Sequence, residues 1–208
     1  MAQAKAKAIV LKPIKKRLVT FRIVGTSPLI QHQWSEKAKR MIRRKQAGED
    51  RGPREVRDPQ QECEDATYRT AKGEYGIPLT ALKGAIISAA HKDLGFEKTM
   101  VKKSLFVQCD DPGGILMMDC DEPEMREDPV TVGQGSADLR YRPYFYRWAV
   151  DVTCVLDVEV MTVKSLIILV NRAGFGIGIG EWRPDSKKGG DHGRFEIDTT
   201  HKIEEKNP

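Results

Sequence analysis

Hydrophobic and polar residues alternate along Arg17 to Gly25, RLVTFRIVG, with Leu18, Thr20 and Arg22 on one side and Val19, Phe21 and Ile23 on the other. A period of two is that of a half-buried strand, and Thr26-Ser27-Pro28 ends it. Ser35 is placed to cap a basic helical stretch, EKAKRMIRRKQAG, that closes near Gly48. GEDRGPREVRDP is loop, and Asp58-Pro59 starts a second short helix that runs to about Thr70. Residues 31–74 are set apart as a basic helical insertion, because the next segment has the periodicity of a core helix. In GIPLTALKGAIISAAHKDLG, Pro78 stands where a helix begins, and Leu79, Leu82, Ala85, Ile86, Ala89 and Ala90 recur at spacings of three and four. Gly95 closes it.

Ser104 to Cys109 reads as a strand, Asp111-Pro112-Gly113-Gly114 as a turn, and ILMMDC as a further apolar piece. Residues 120–147 are mixed: acidic first, then VTVGQG, then the aromatic and basic run DLRYRPYFYRW. From Ala149 to Met161 the chain is a long alternating strand, and Thr162 caps a helix, VKSLIILVNRA, that stops at Gly174. A glycine-rich strand, a loop over 183–192 and a last strand, GRFEI, follow, and the tail over 199–208 is expected to be flexible. The order is strand, helix, strand, then strand, helix, strand. Two such units sharing one sheet predict an α+β, ferredoxin-like (RRM-like) β-α-β-β-α-β core, with helices over one face and the other face left for something else.

Length and composition narrow the picture. The 208 residues suit one domain, with 39% hydrophobic and 31% charged residues. No apolar run approaches the roughly 18 residues that span a bilayer, and MAQAKAKAIVLKPIKKRL has no apolar core of a secretory signal. Cys63, Cys109, Cys120 and Cys154 are widely spread with no CxxC, which argues against a zinc site and for reduced, cytoplasmic thiols. The net charge is +5, unevenly laid out: residues 37–57 carry nine Lys/Arg against three Asp/Glu, and residues 109–128 carry eight Asp/Glu against Arg126. Either these are two solvated surfaces, or they meet head to tail between copies.

The candidate chemistry lies in a few stretches. GFGIGIGEWRPDSKKGGDHGRFEI, residues 174–197, has neither the glycine spacing of a dinucleotide fingerprint nor the Gly-Lys-Ser/Thr of a P-loop. Read as a strand, it puts Gly174, Gly176, Gly178 and Gly180 on one face, open to close approach by a packed helix or a bound polymer. Beyond it, Arg183, Lys187, Lys188, His192 and Arg194 accompany Gly189-Gly190 and Gly193, an arrangement suited to an anion or simply to a basic hairpin tip. Lys83, early in its helix, is placed for a phosphate or is a solvated surface lysine. In DLRYRPYFYRW, Arg140, Arg142 and Arg147 alternate with Tyr141, Tyr144, Phe145, Tyr146 and Trp148, which suits either stacked bases or a subunit contact. Arg40, Arg43 and Arg44, with Lys37, Lys39 and Lys45, surround most of the first helix and favour phosphate tracking. His32 is the one catalytic candidate, as a general base, set against a structural histidine. No metal-ligand spacing emerges.

Ile77-Pro78 ahead of Leu82-Lys83-Gly84, in the form I-P-x-x-x-L-K-G, and the glycine-rich loop after the second core helix resemble the RAMP superfamily of CRISPR-associated RNA-binding proteins. The resemblance covers about 17–25, 75–95 and 149–197. It implies a single RAMP-like domain over 1–208, with 120–147 where backbone members of the family carry a thumb-like insertion. Some processing endonucleases of the family use a histidine near the position of His32. Some backbone relatives cut target RNA with an aspartate in the first loop. Residues 26–35, TSPLIQHQWS, contain no acid, so that activity does not carry over.

The leading expectation is a non-catalytic backbone protein that binds single-stranded RNA, or single-stranded DNA, and oligomerises along it. It would work without cofactor or metal and without a membrane. Its partners would be copies of itself and other effector subunits, in the cytoplasm of a prokaryotic cell that carries the gene on its own genome or on a phage or other mobile element. The alternatives are a RAMP-type endoribonuclease using His32 and a phage or mobile-element structural protein that assembles without nucleic acid.

Overall fold

The computed structural model describes residues 13–49, 56–132 and 135–207. Strand β1 (Lys16–Gly25) forms where the alternation predicts it, with Val19, Phe21 and Ile23 buried. It pairs with β9 (Trp148–Asp157) from Lys16↔Asp157 to Val24↔Ala149. On the far side of β9 lies β4 (Leu105–Gln108), and on the far side of β1 lies β10 (Phe195–Ile197). All of these pairings are antiparallel. The sheet thus runs fourth, first, third, second core strand. Helix α3 (Leu79–Leu94) joins the first to the second, and α5 (Val163–Arg172) joins the third to the fourth. That is the ferredoxin-like β-α-β-β-α-β arrangement.

One core holds it together. Leu82, Ala85, Ile86 and Ala89 of α3 and Leu166, Leu169 and Val170 of α5 pack with the inward residues of β1 and β9. Each large aliphatic side chain buried in this way stabilises the fold by about 1.5–3 kcal/mol. The helix starts are local chemistry. Ser35 accepts from the Ala38 amide at the start of α1 (Glu36–Gln46), and Thr162 accepts from Ser165 at the start of α5. Asp58 accepts from Gln60 and Gln61 at the start of α2 (Pro59–Asp65). Helix α2 stops short of Thr70 because Ala66 and Thr67 turn inward, and the Thr67 hydroxyl donates to the Cys63 carbonyl.

The opposite sheet face is not an open platform. Arg22 is gripped there by Asp119, by Asp151 at 2.9 Å and more loosely by Asp198 at 4.0 Å, and the Thr20 and Thr153 hydroxyls meet at 3.1 Å. Two small sheets flank the core. In one, β2 (Leu29–Ile30) pairs with β8 (Ser136–Phe145), which pairs with β7 (Glu124–Val132). In the other, β3 (Gly76–Pro78) pairs with β5 (Ile115–Met117), while β6 (Asp119–Cys120) joins the edge of β9. Buried Gln31 ties these pieces together: its amide donates to the Gly76 carbonyl and accepts from the Tyr68 amide.

Several expectations change. Helix α4 (Lys98–Ser104) was not legible, because Val101 and Ser104 are its only buried residues and give no periodicity. β9 ends at Asp157, whose carbonyl accepts from Val160 and Met161 in a turn. The C-terminal stretch contributes β11 (Glu204–Lys206), paired with Leu18–Thr20 of β1. The largest correction concerns the glycine run, which is no strand. α5 continues into a single π-helical turn over Ala173–Ile177, closed when the Gly178 amide donates to the Ala173 carbonyl at 2.8 Å. Phe175 is 72% exposed while Ile177 and Ile179 are buried, so the three do not share a face.

Candidate nucleic-acid interface

Beyond the π-turn the chain is fastened to β2 by its backbone. The Ile179 amide donates to Gly193, Glu181 to Ile30 and Gly193 to Pro28. Gly178 and Gly180 hold φ of +69° and +77°, the left-handed region that side-chain-bearing residues avoid. A Cβ at Gly180 would run into the Ile30 carbonyl, and one at Gly174 into the Phe195 carbonyl, while one at Gly176 would meet nothing nearer than Asp93 at 3.9 Å. Close approach is therefore real at Gly174, Gly178 and Gly180, but the approaching group is the protein's own chain. Gly176 has no such role.

Trp182 is the one described non-glycine residue with positive φ, at 54°. Such a backbone costs about 1–2 kcal/mol, and the ring contacts explain its survival. Arg126 of β7 sits 5.3 Å over the Trp182 ring and 5.4 Å over the Tyr144 ring, and His192 lies edge-on to both rings. The hairpin and the glycine-rich loop are thereby locked together.

Under this stack lies a buried charge pair. Asp128 is 1% exposed and Arg142 is 4% exposed, with 3.6 Å between them, and Arg126 donates to the other Asp128 oxygen at 2.7 Å. Burial pushes the Arg142 guanidinium down from its ordinary pKa, against the pull of Glu181 and Asp128. Arg142, named above as a nucleic-acid contact, is instead an internal residue. The rest of its run divides as well: Phe145 and Trp148 enter the core, and the Trp148 indole donates to the Ser27 carbonyl. Arg140 faces Asp138 at 3.2 Å, and Tyr141 lies under Arg57.

Burial, reinforced by Arg126, holds the His192 imidazole below its ordinary value of 6.5. The unfolded chain takes up this proton near its ordinary value while the folded chain resists it. The stability that neutral His192 contributes is therefore complete above pH 6.5 and is lost as pH falls through the lower folded value. His192→Gln should lower the drop in melting temperature between about pH 7.5 and about pH 5. An unchanged drop in the variant would show that this histidine is not the acid-sensitive group.

The other candidates separate into two groups. His32 does not stand alone: its Nδ1 is 3.6 Å from Glu181, in a pocket of about 180 Å³ also lined by Tyr68 and Arg183. The His32 imidazole holds the Glu181 carboxyl below its ordinary range, helped by Arg142 and Arg183 against the effect of burial. Arg183 donates to the Gly180 carbonyl and Arg194 covers Phe175, whereas Lys187 and Lys188 are exposed at the loop tip. Arg40, Arg43 and Arg44 lie exposed along α1, with Arg44 reaching Glu49 at 3.2 Å. Lys83 lies apart from all of these. Its ammonium donates to the Lys102 carbonyl and covers Phe106, so it fastens α4 to α3.

The structure thus sets α1 across a groove from Arg140 and Tyr141 of β8 and packs Trp182 and His192 of the loop on Arg126 and Tyr144 of the same sheet. Sequence reasoning missed Trp34, Tyr68, Arg126, Asp128 and Glu181. Trp34 had a readable signal, an aromatic directly before a helix cap and a basic helix. The others gain meaning only from distant partners.

No family model matches the sequence, and no curated protein matches it. Among solved structures, the chain is similar to Cmr6 from Pyrococcus furiosus, with a TM-score of 0.45 and 9% identity over 88% of this chain and 98% of that one. It is also similar to a chain of the Type III-B Cmr-beta complex bound to cognate target RNA, with a TM-score of 0.42 and 13% identity. That match covers 92% of this chain and 61% of the other. Both are Cmr proteins, and both likenesses are of overall shape alone.

Proposed function

We propose that this chain is a RAMP-type subunit that binds single-stranded RNA across α1, β8 and the glycine-rich loop, and assembles with further copies of itself and with other effector subunits along the strand. The observation that carries the reading is convergence. Basic α1 lies across a groove from Arg140 and Tyr141, and the 182–194 loop packs on Arg126 and Tyr144 of the same small sheet, while Arg22 on the main sheet face is already held by carboxylates. A strand held in this way is bound chiefly through its phosphates, so affinity should fall steeply with salt. The β7–β8 hairpin, within the 120–147 insertion, is the element that reaches both α2 and the loop and so suits a clamp.

Fluorescence anisotropy with a labelled single-stranded RNA tests this. Lys187→Ala with Lys188→Ala should flatten the log-affinity against log-salt slope by about 1.4, at about 0.7 per lost phosphate contact. An unchanged slope removes the loop tip from the interface. In sedimentation, a protein that stays monomeric on a long strand counts against assembly. The RNA should be recovered intact. The second reading, an endoribonuclease, is favoured by the His32–Glu181 contact beside Tyr68 and Arg183. Metal-independent cleavage that His32→Ala abolishes would put it in place of the first.

A further inference from the structure

Helix α1 buries none of its residues against the domain. Its apolar side chains are nonetheless not scattered. Met41, 51% exposed, and Ile42 share a groove of about 540 Å³ with Trp34, 61% exposed, and with Tyr141 of β8. One wall is cationic: α1 carries Lys37, Lys39, Arg40, Arg43, Arg44 and Lys45 against Glu36 alone. Across the groove, Arg57 pairs with both Glu62 and Asp138 and lies over the Tyr141 ring, and Asp65 lines the same wall.

We propose that this groove seats unpaired bases of a single strand, stacked on Trp34 and Tyr141, with the sugar-phosphate chain running along α1. The proposal rests on the RNA-binding reading and adds where the bases go. A single strand is planar and apolar along one side and anionic along the other, and the groove presents aromatic faces and cations in the same division. The acidic segment 109–128 of a second copy would match the cationic wall. Among its described residues, however, it offers the apolar floor only Met117 and Met125 as exposed large hydrophobics.

The probes are a labelled oligouridylate of ~12 nucleotides and an abasic chain of the same length. Trp34 is exposed, so Trp34→Ala should melt with the wild type, and a shared melting temperature is the control for folding. The variant should bind the oligouridylate roughly 5- to 150-fold more weakly. Trp34→Phe should recover most of that loss, and the abasic chain should bind all three proteins alike. Tryptophan emission should be quenched more strongly by the base-bearing strand in the wild type than in either Trp34 variant. Equal affinity of Trp34→Ala and wild type for the oligouridylate overturns the proposal. So does a change in self-association of the RNA-free variant, which would mark the groove as a contact between copies. A wild type that binds neither probe overturns the RNA-binding reading and the groove together, a result distinct from either.

Discussion

Replacing Gly174 by alanine is expected to destabilise the protein by about 3 kcal/mol or more, whereas Gly176→Ala, two residues on, should leave it as stable as before or slightly more so. The two glycines share the π-turn and differ in what stands opposite. A Cβ at Gly174 would come nearer to the Phe195 carbonyl than the 3.0 Å that real Cβ atoms respect. That carbonyl belongs to β10, paired to β1, so relief requires a shift of the core sheet. At Gly176 the space is open, and alanine lowers the entropy of the unfolded chain by an amount equivalent to about 0.4–1 kcal/mol. Chemical denaturation of both variants, with RNA binding measured on whatever folds, checks the pair. Similar stability in the two would show that the glycine run does not pack against the body of the protein.

Asp128→Ala should cost about 3–5 kcal/mol, lowering the melting temperature by about 10 °C in a chain of this size. The carboxylate forms the ion pair of a guanidinium that is 4% exposed, and neither the Nε nor the Nη1 of Arg142 has a hydrogen-bond partner. Removing it leaves a charge that burial already disfavours with Glu181 as its remaining acid, too far away for an ion pair. Arg126 suffers less, since it keeps Tyr144 and Trp182 beneath it and reaches solvent. Asp128→Ala combined with Arg142→Met should recover much of the loss, because an apolar group of similar volume then replaces the buried cation. If the single variant melts within about 1 °C of the wild type, the pair is not buried as described, and Arg142 returns to the list of strand contacts.

The ferredoxin-like order was legible because its signals are local. Alternation in β1 and β9, three-and-four spacing in α3 and α5, and the caps at Ser35, Asp58 and Thr162 depend on residues at most four apart. A sequence displays such neighbours directly. The basic segments were visible too, as charge runs. Where each charge would point was not. Arg140 and Arg142 sit two residues apart in the same strand, yet Arg140 stays at the surface while Arg142 is buried. The difference lies in Asp128 across the hairpin and Glu181 in a loop some forty residues on, which no local pattern announces. The glycine run misled for the same reason. Gly-X-Gly-X-Gly has period two whether it lies in a strand or in a turn where only some of its glycines lack room for a side chain. The carbonyls that deny that room belong to Phe195 and Ile30. Sequence by itself determined the core helices and strands and their order. Tertiary structure decided which cations face solvent, and that α1 and the loop each border the β7–β8 hairpin, because burial and pairing are set by residues that only the folded chain brings within reach.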